Sequence, residues 1–245
     1  MSRFKRLQKH LGFLNAVFFY SKMKSGNRSN LKTGNLTYPF GLRNNPFDYA
    51  TFEEVILNEA YNVPLNFEPA YIIDGGGNIG LTACFFASKY PGATIISVEP
   101  NTENFNLLQL NCKPYSNIHA LKCGIWKKNT QLKIENTNAG NNSFTVTETE
   151  EAGSETLKAV TVLSLMEQFN LPHIDVLKLD IEGSEKEVFE MDFEKWLPVT
   201  KVLIIELHDK MKKGCSHSVF NAINTYDFSF DIKGENIIFT NNAYK

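Results

Sequence analysis

Short apolar runs alternate with helix-like patterns along the chain from residue 70 onward. Apolar runs bounded by turn residues predict buried strands, and the stretches between them are long enough for crossover helices. This alternation predicts an α/β fold with a mostly parallel sheet and helices on both faces. The predicted strands are 70–74, 93–99, 118–126, 174–180 and 201–207, and the predicted helices are 79–90, 102–112, 184–192 and 216–226.

The pattern changes on either side of these elements. The stretch FSFDIKGENIIFTN, residues 228–241, predicts two strands joined by a turn at Lys233-Gly234, which is typical of an antiparallel hairpin. Before the sheet, residues 51–61 predict a helix and residues 36–43 a short strand pair. Residues 136–154 are rich in Asn, Thr, Gly and Glu, which predicts a mobile loop that acts as a lid or faces the substrate.

The N-terminal segment has a different character. Apolar side chains recur at helical spacing beside Arg and Lys, so residues 3–20 predict a basic amphipathic helix. We favour its packing on the domain or on a partner subunit, and a peripheral membrane contact is the alternative. Residues 11–20 are apolar but too few to cross a bilayer, and no small-residue cleavage site follows, so we expect mature protein here. The apolar positions are Phe4, Leu7, Leu11, Leu14 and Phe18.

Length and charge bound the organisation. A chain of 245 residues allows one large α/β domain, predicted over 36–245, with an arm at 1–35, a leading segment at 36–69 and the core at 70–245. Residues 1–47 contain nine of the 25 Lys and Arg and none of the 27 acids, so the remainder has a net charge of 16 − 27 = −11. An acidic body argues against nucleic acid as the partner.

The four cysteines suggest neither a disulfide framework nor a structural metal site, because they form no C-x-x-C pair and have no histidines at zinc-ligand spacing. Reduced thiols are typical of a cytoplasmic protein, and we expect that location, with peripheral membrane association as the variant.

Four predicted strands end in a carboxylate: Asp74, Glu99, Asp180 and Glu206. In an open parallel sheet, ligands bind at the carboxyl ends of the strands, so these side chains should converge on one negative crevice.

A glycine-rich turn follows the first of these strands. YIIDGGGNIG satisfies G-x-G-x-x-G through Gly75, Gly77 and Gly80, with Asp74 directly before it. Asp74 would repel the diphosphate of a nicotinamide dinucleotide, whereas it can pair with the cationic methionine part of S-adenosylmethionine. Glu99, followed by Pro100, is placed to accept the ribose hydroxyls of an adenosine. The turn therefore favours S-adenosylmethionine.

The motifs DGGGNIGLTA, VEP and above all VLKLDIEGSEKEVFE resemble the FkbM family of S-adenosylmethionine-dependent methyltransferases, and the similarity extends from about Tyr38 to Glu206. The resemblance implies a Rossmann-like class I methyltransferase fold with the terminal hairpin, and O-methylation of a saccharide, glycan or related natural product. It also implies that the methionine part is held by Asp74, Gly75, Gly77, Asn78 and Gly80, the ribose by Glu99, and the adenine by Cys123, Gly124 and Ile125.

Methyl transfer to a hydroxyl needs a group that accepts its proton. His208, just after a strand, and Asp180 are the candidate bases, and Lys178 lies two residues before Asp180 on the same face of its strand. For Lys178, a structural ion pair is as good an interpretation as a catalytic role. A divalent cation on Asp180, Glu206 and His208 is the alternative to a base, and we do not favour it because no compact ligand motif is present.

Two other function classes stay open at this point. A nicotinamide-dependent oxidoreductase would also use the glycine turn, and a non-catalytic module could bind partners through the basic arm. The acceptor contacts are expected from residues 36–61 and from the 136–154 loop, and the sequence carries no code for the acceptor or for a homo-oligomer.

Overall fold

The computed structural model describes residues 3–25, 29–134, 146–149 and 156–244. Most of the predicted 136–154 loop lies outside the described residues.

A seven-stranded sheet forms the centre of the molecule. Its strands are β1 (Tyr71–Gly75), β2 (Thr94–Val98), β3 (Ile118–Leu121), β8 (Ile174–Leu179), β9 (Thr200–Glu206), β10 (Phe228–Lys233) and β11 (Asn236–Asn241), in the spatial order β10-β11-β9-β8-β1-β2-β3. Five adjacent strands run parallel, namely β9, β8, β1, β2 and β3, while β11 pairs antiparallel with both β9 and β10. The prediction of a mostly parallel sheet closed by an antiparallel hairpin is therefore confirmed.

Helices cover both faces of this sheet and give two apolar cores, one on each side. Asn45 and Asn101 cap the helices that begin at Pro46 and Thr102 by accepting hydrogen bonds from backbone N–H groups of the first helical turn. The helices after the arm are α3 (Pro46–Phe52), which continues as a π-helical turn over Glu53–Leu57, α4 (Leu81–Lys89), α5 (Thr102–Cys112), α6 (Val162–Gln168), α7 (Glu185–Val188), α8 (Phe193–Trp196) and α9 (Cys215–Ile223).

The predicted strand 118–126 is wrong as one element. Its first part is β3 of the central sheet, and its last part is β4 (Gly124–Ile125), which belongs to a second sheet of order β4-β7-β5-β6. The other strands of this sheet are β5 (Thr130–Ile134), β6 (Val146–Thr149) and β7 (Thr156–Val160). The chain leaves the central sheet at Lys122-Cys123, which an apolar pattern alone does not reveal.

Three smaller predictions also need correction. The predicted helix 184–192 is shorter than expected, since α7 ends at Val188, and α8 begins only at Phe193, after Asp192 in a left-handed conformation (φ 59°). The predicted strand pair 36–43 is absent from the described chain, and Phe40 instead forms an isolated bridge with Leu31. The helix predicted over 51–61 ends at Leu57.

The arm is two helices rather than one. α1 (Arg3–Leu11) and α2 (Phe13–Ser25) meet at Gly12, whose φ of +75° is left-handed and ends the first helix. Leu7 and Phe19 are fully buried in the core on one side of the sheet, and the Phe19 ring stacks on Phe52 of α3 at 4.6 Å between centroids. Leu14 and Phe18, predicted on the same face as Leu7, are instead exposed.

Candidate active site

A cavity of about 330 Å³ opens at the carboxyl ends of β1, β2, β8 and β9. This is where an open parallel sheet binds ligands, and the volume is in the range of small-molecule sites. Six carboxylates line it, against the two cationic side chains Arg43 and His208. The carboxylates are Glu54, Glu99, Asp180, Glu182, Glu206 and Glu235.

Gly76 is the glycine of the turn that lines the cavity. Its φ is +76°, and a Cβ at this position would lie 1.8 Å from the backbone oxygen of Asp180. A side chain here is therefore excluded both by conformation and by space. The G-x-G-x-x-G pattern points to Gly75 and Gly77 and does not single out Gly76. The sequence has three consecutive glycines here, and it does not show which of them lines the cavity.

The other predicted glycines lie behind the cavity wall. Added Cβ atoms on Gly75 and Gly77 would lie 2.7 Å from the Ile125 side chain and 2.2 Å from Ser97 Oγ, respectively. Gly80 directly precedes α4, and a Cβ added to it would lie 3.1 Å from Leu108 of α5. These three glycines allow close packing, and a direct cofactor contact for them stays a prediction.

Asp74 is completely buried and does not line the cavity. Strand register places it between Ser97 on β2 and Lys178 on β8. Ser97 Oγ donates to Asp74 Oδ2 at 2.7 Å, and Lys178 Nζ lies 3.4 Å from Asp74 Oδ1. The ion pair is what the structure shows for Asp74, and its contact with the methionine part stays a prediction.

Lys178 is buried under the glycine turn. Its Nζ donates to the carbonyl oxygens of Gly75 at 3.0 Å and Gly76 at 2.7 Å, and it lies 3.9 Å from Asp180 Oδ2. Burial by itself would lower the pKa of Lys178, but Asp74 and Asp180 more than offset that effect, so the pKa is raised. Lys178 therefore stays charged and holds the turn, which matches the structural interpretation rather than the catalytic one.

Glu99 follows β2 and reaches the cavity with little exposed area. Its Oε2 accepts the backbone N–H of Asn78 at 2.8 Å, and its Oε1 accepts that of Asn101 at 2.8 Å. Each oxygen keeps one lone pair for a ligand hydroxyl. Burial raises the pKa of Glu99 to about 7, against the opposing effect of these two hydrogen bonds.

The region predicted to bind adenine is divided. Gly124 and Ile125 line the cavity, as does Pro100, whereas Cys123 is buried beside it, and burial raises the pKa of its thiol to about 11. Leu132 and Leu157 of the second sheet complete this apolar wall. The apolar pattern along the chain does not reveal these two leucines, because it does not predict the second sheet.

The segment before the core forms the opposite wall. Arg43, Asn45, Phe47, Thr51 and Glu54 all line the cavity, within the range expected to meet the acceptor. The Arg43 guanidinium is held by Asp48, with 2.7 Å between Nη2 and Oδ1.

His208 lies at the centre of an acidic cluster. Its Nδ1 is 2.8 Å from Glu185 Oε1 of α7, and its Nε2 is 3.4 Å from Glu206 Oε1 and 3.7 Å from Asp180 Oδ1. Burial by itself would lower the pKa of His208, but hydrogen bonds with Glu185 and Glu206 raise it to about 11. With no cation bound, this raised pKa favours an imidazolium at neutral pH, a form without a free lone pair, and the role of His208 as a base stays a prediction.

Glu182 is a further carboxylate of this cluster. Its side chain is 46% exposed and its carboxylate lies 3.8 Å from His208 Nε2. Burial, followed by the charge of Asp180, raises the pKa of Glu182 to about 7. Ligand atoms of Asp180, Glu182 and His208 lie within 4.8 Å of one another and could surround a cation. From the sequence, Glu206 and not Glu182 is expected as the third ligand of such a cation.

The sheet order, the glycine turn beside Asp180 and the acid after β2 together define a class I methyltransferase of the S-adenosylmethionine-dependent type. The methyltransferase FkbM domain family matches residues 74–231, which is more than half of the sequence. The chain belongs to the FkbM methyltransferase family, so the predicted family is confirmed and the oxidoreductase and non-catalytic alternatives are set aside.

Three similar proteins are named as methyltransferases. "Methyltransferase 1" of Beauveria bassiana is 27% identical over 180 residues, covering 64% of this chain and 72% of its own. "Methyltransferase sdnD" of Sordaria araneosa is 30% identical over 190 residues, covering 62% and 72%. "Hexuronic acid methyltransferase AglP" of Haloferax volcanii is 29% identical over 136 residues, covering 55% of this chain and 54% of its own.

Proposed function

We propose that the protein transfers a methyl group from S-adenosylmethionine to a hydroxyl of a neutral saccharide or a similar polyol. The observation that carries the proposal is the cavity with six carboxylates at the carboxyl ends of the strands. Such a site favours a cationic cofactor and a neutral acceptor, because each further anion would be repelled.

The residues present fit this cofactor. Glu99 offers one free lone pair on each oxygen to vicinal ribose hydroxyls, and Ile125 with Leu157 offers an apolar wall to the adenine. The backbone at Gly76 is open to close approach because no side chain covers it. The carboxylates suit the positive methionine part. When bound, S-adenosylmethionine supplies an electrophilic methyl group on a sulfonium.

A saccharide acceptor is supported by two observations of different kind. One relative is named a hexuronic acid methyltransferase. In this chain, the wall formed by Asn45, Thr51 and Asn104 offers amide and hydroxyl groups of the kind that bind sugar hydroxyls. Arg43, the cation of that wall, is already held by Asp48, so we expect neutral sugars to be preferred to uronic acids.

We infer that Glu182 accepts the hydroxyl proton, in place of His208. A base with a pKa near the working pH combines a useful ionised fraction with a useful proton affinity, and Glu182 meets this condition. His208 would then hold Asp180 and Glu206 in position as their counter-charge. A divalent cation on Asp180, Glu182 and His208 is the second candidate, supported by the closeness of their ligand atoms.

The first experiment is binding of S-adenosylhomocysteine, measured by calorimetry on the wild type, Glu99→Gln and Glu103→Gln. Glu103 lies on α5 with a side chain that is 79% exposed, so it serves as the matched control. We expect binding by the wild type and the control, and at least tenfold weaker binding by Glu99→Gln. Equal binding by all three proteins would overturn the assignment of Glu99.

The acceptor is tested with methyl-labelled S-adenosylmethionine and a panel of neutral sugars, nucleotide sugars and uronic acids. Transfer to neutral sugars supports the proposal, and transfer to uronic acids alone contradicts the neutral-acceptor part of it. Adding a chelator and then Mg²⁺ to the same assay separates the base from the cation. Loss of activity with the chelator, restored by Mg²⁺, would favour a bound cation over Glu182 acting as the base.

A further inference from the structure

The second arm helix, α2, exposes a stripe of large apolar side chains. Phe13, Leu14, Val17 and Phe18 are 59%, 81%, 43% and 49% exposed, and their spacing of three and four residues places them on one side of the helix. We call these four residues the α2 apolar face. Contiguous apolar surface of this kind marks an interaction site, whereas single exposed leucines do not.

The rest of the fold holds this face outward. On the opposite side of α2, Ala16 and Phe19 are completely buried, and Phe19 packs between Phe40 and Phe52. The preceding helix is tied down as well, since Arg6 pairs with Glu53 at 2.9 Å. The exposure of the α2 apolar face is therefore built into the folded domain.

The segment that carries this face is basic. Residues 1–47 contain nine Lys or Arg and no Asp or Glu. Lys9, His10 and Lys24 of the two arm helices are exposed, and Lys22 Nζ lies 5.0 Å from the centroid of the Phe18 ring. Exposed apolar area and nearby positive charge both strengthen binding to an anionic bilayer.

We propose that α2 docks this protein on an anionic lipid surface, with the α2 apolar face inserted among the acyl chains and the lysines of the arm on the headgroups. A second copy of the chain fits less well, because pairing two α2 apolar faces would bring the lysines of two arms together, and these would repel each other. No described helix is both long and apolar enough to cross a membrane.

The test is flotation of the full chain with vesicles of phosphatidylcholine alone and with about 30% phosphatidylserine. The variant Leu14→Glu/Phe18→Glu changes the α2 apolar face. Leu110→Glu is the matched control, because Leu110 is 68% exposed on α5 and lies outside the arm. Thermal unfolding and S-adenosylhomocysteine binding check that every variant is folded.

We expect the wild type and Leu110→Glu to float with the anionic vesicles and to be released at about 0.5 M salt. The Leu14→Glu/Phe18→Glu variant should bind at least tenfold more weakly. Absence of wild-type binding, or equal binding by this variant, would overturn the proposal. Dimers that this variant abolishes, without any vesicle binding, would assign the face to a second copy instead.

Discussion

At the scale of single residues, the site depends on one lysine placed beneath a glycine turn. Lys178 joins β8 to the turn after β1 through two carbonyl oxygens and to Asp74 through an ion pair. Removing one partner of a buried pair leaves the other charge uncompensated, which costs far more than a surface pair contributes.

Lys178→Met should therefore lower the free energy of unfolding by about 3–5 kcal/mol, because Asp74 and two carbonyl groups lose their partner. Urea denaturation measures this change. Lys195→Met is the control, since the pair between Lys195 and Asp192 is exposed and should contribute little to stability. Similar losses for the two variants would contradict the structural role of Lys178.

Glu182 gives a second prediction at this scale. A catalytic base must be ionised, so the methyl-transfer rate at low substrate should rise with pH and level off above about 7, following the pKa of Glu182. Glu182→Gln should lower the rate by about 10²- to 10⁴-fold and remove this dependence. Glu194→Gln, on the exposed side of α8, should keep the wild-type profile. If the rate of Glu182→Gln still rises with pH up to about 7, Glu182 is not the base.

At the scale of elements, one backbone position decides the shape of the arm. Gly12 separates α1 from α2 in a left-handed conformation, and a Cβ added to it would meet no atom within 4 Å, so only conformation restricts a side chain there. The turn at Gly12 lets Leu7 and Phe19 enter the same core from two helices. A continuous helix would not do so, because Leu14 and Phe18 would then follow Leu7 along a single stripe.

Gly12→Ala should destabilise the protein by about 1–2 kcal/mol, the cost of a left-handed Ala. Gly34→Ala is the matched control, since Gly34 has equally open space and no positive φ. Chemical denaturation of the two variants compares them directly. An unchanged Gly12→Ala protein would mean that the break between the helices does not depend on glycine.

At the scale of the whole molecule, the concentration of buried acids couples folding to pH. Burial raises the pKa of Glu99 from 4.5 to about 7, so the folded state holds a proton that the unfolded state has already lost in that range. Its contribution to stability is full below pH 4.5 and is lost as pH rises through 7. The raised pKa of His208 acts in the same direction above pH 6.5.

The ligand-free protein should therefore be less stable at pH 8 than at pH 5, and Glu99→Gln should remove up to about 3 kcal/mol of that difference. Denaturation at the two pH values measures it, with Glu103→Gln as the exposed control. The same slope in Glu99→Gln and the wild type would show that Glu99 is not buried in this way.

The sequence by itself determined which motifs follow the strands and at which edge of the sheet they lie. Apolar strands precede these motifs, and the carboxyl ends of parallel strands share one edge of a sheet, so Glu99, Asp180 and Glu206 converge on the cavity as predicted. Asp74 was predicted to converge with them and is instead buried behind the cavity wall. The family followed from the same local patterns. These features depend on neighbours in the chain, which a sequence displays directly.

The tertiary structure alone decided which glycine lines the cavity, what Lys178 holds and how the pKa of His208 is shifted. Gly76 is singled out by the backbone of Asp180, more than a hundred residues away, and the pKa of His208 is raised against the effect of burial because α7 brings Glu185 to it. The division of residues 118–126 between two sheets has the same origin. Each outcome depends on distances between residues that are remote in the chain, and only folding brings these residues together.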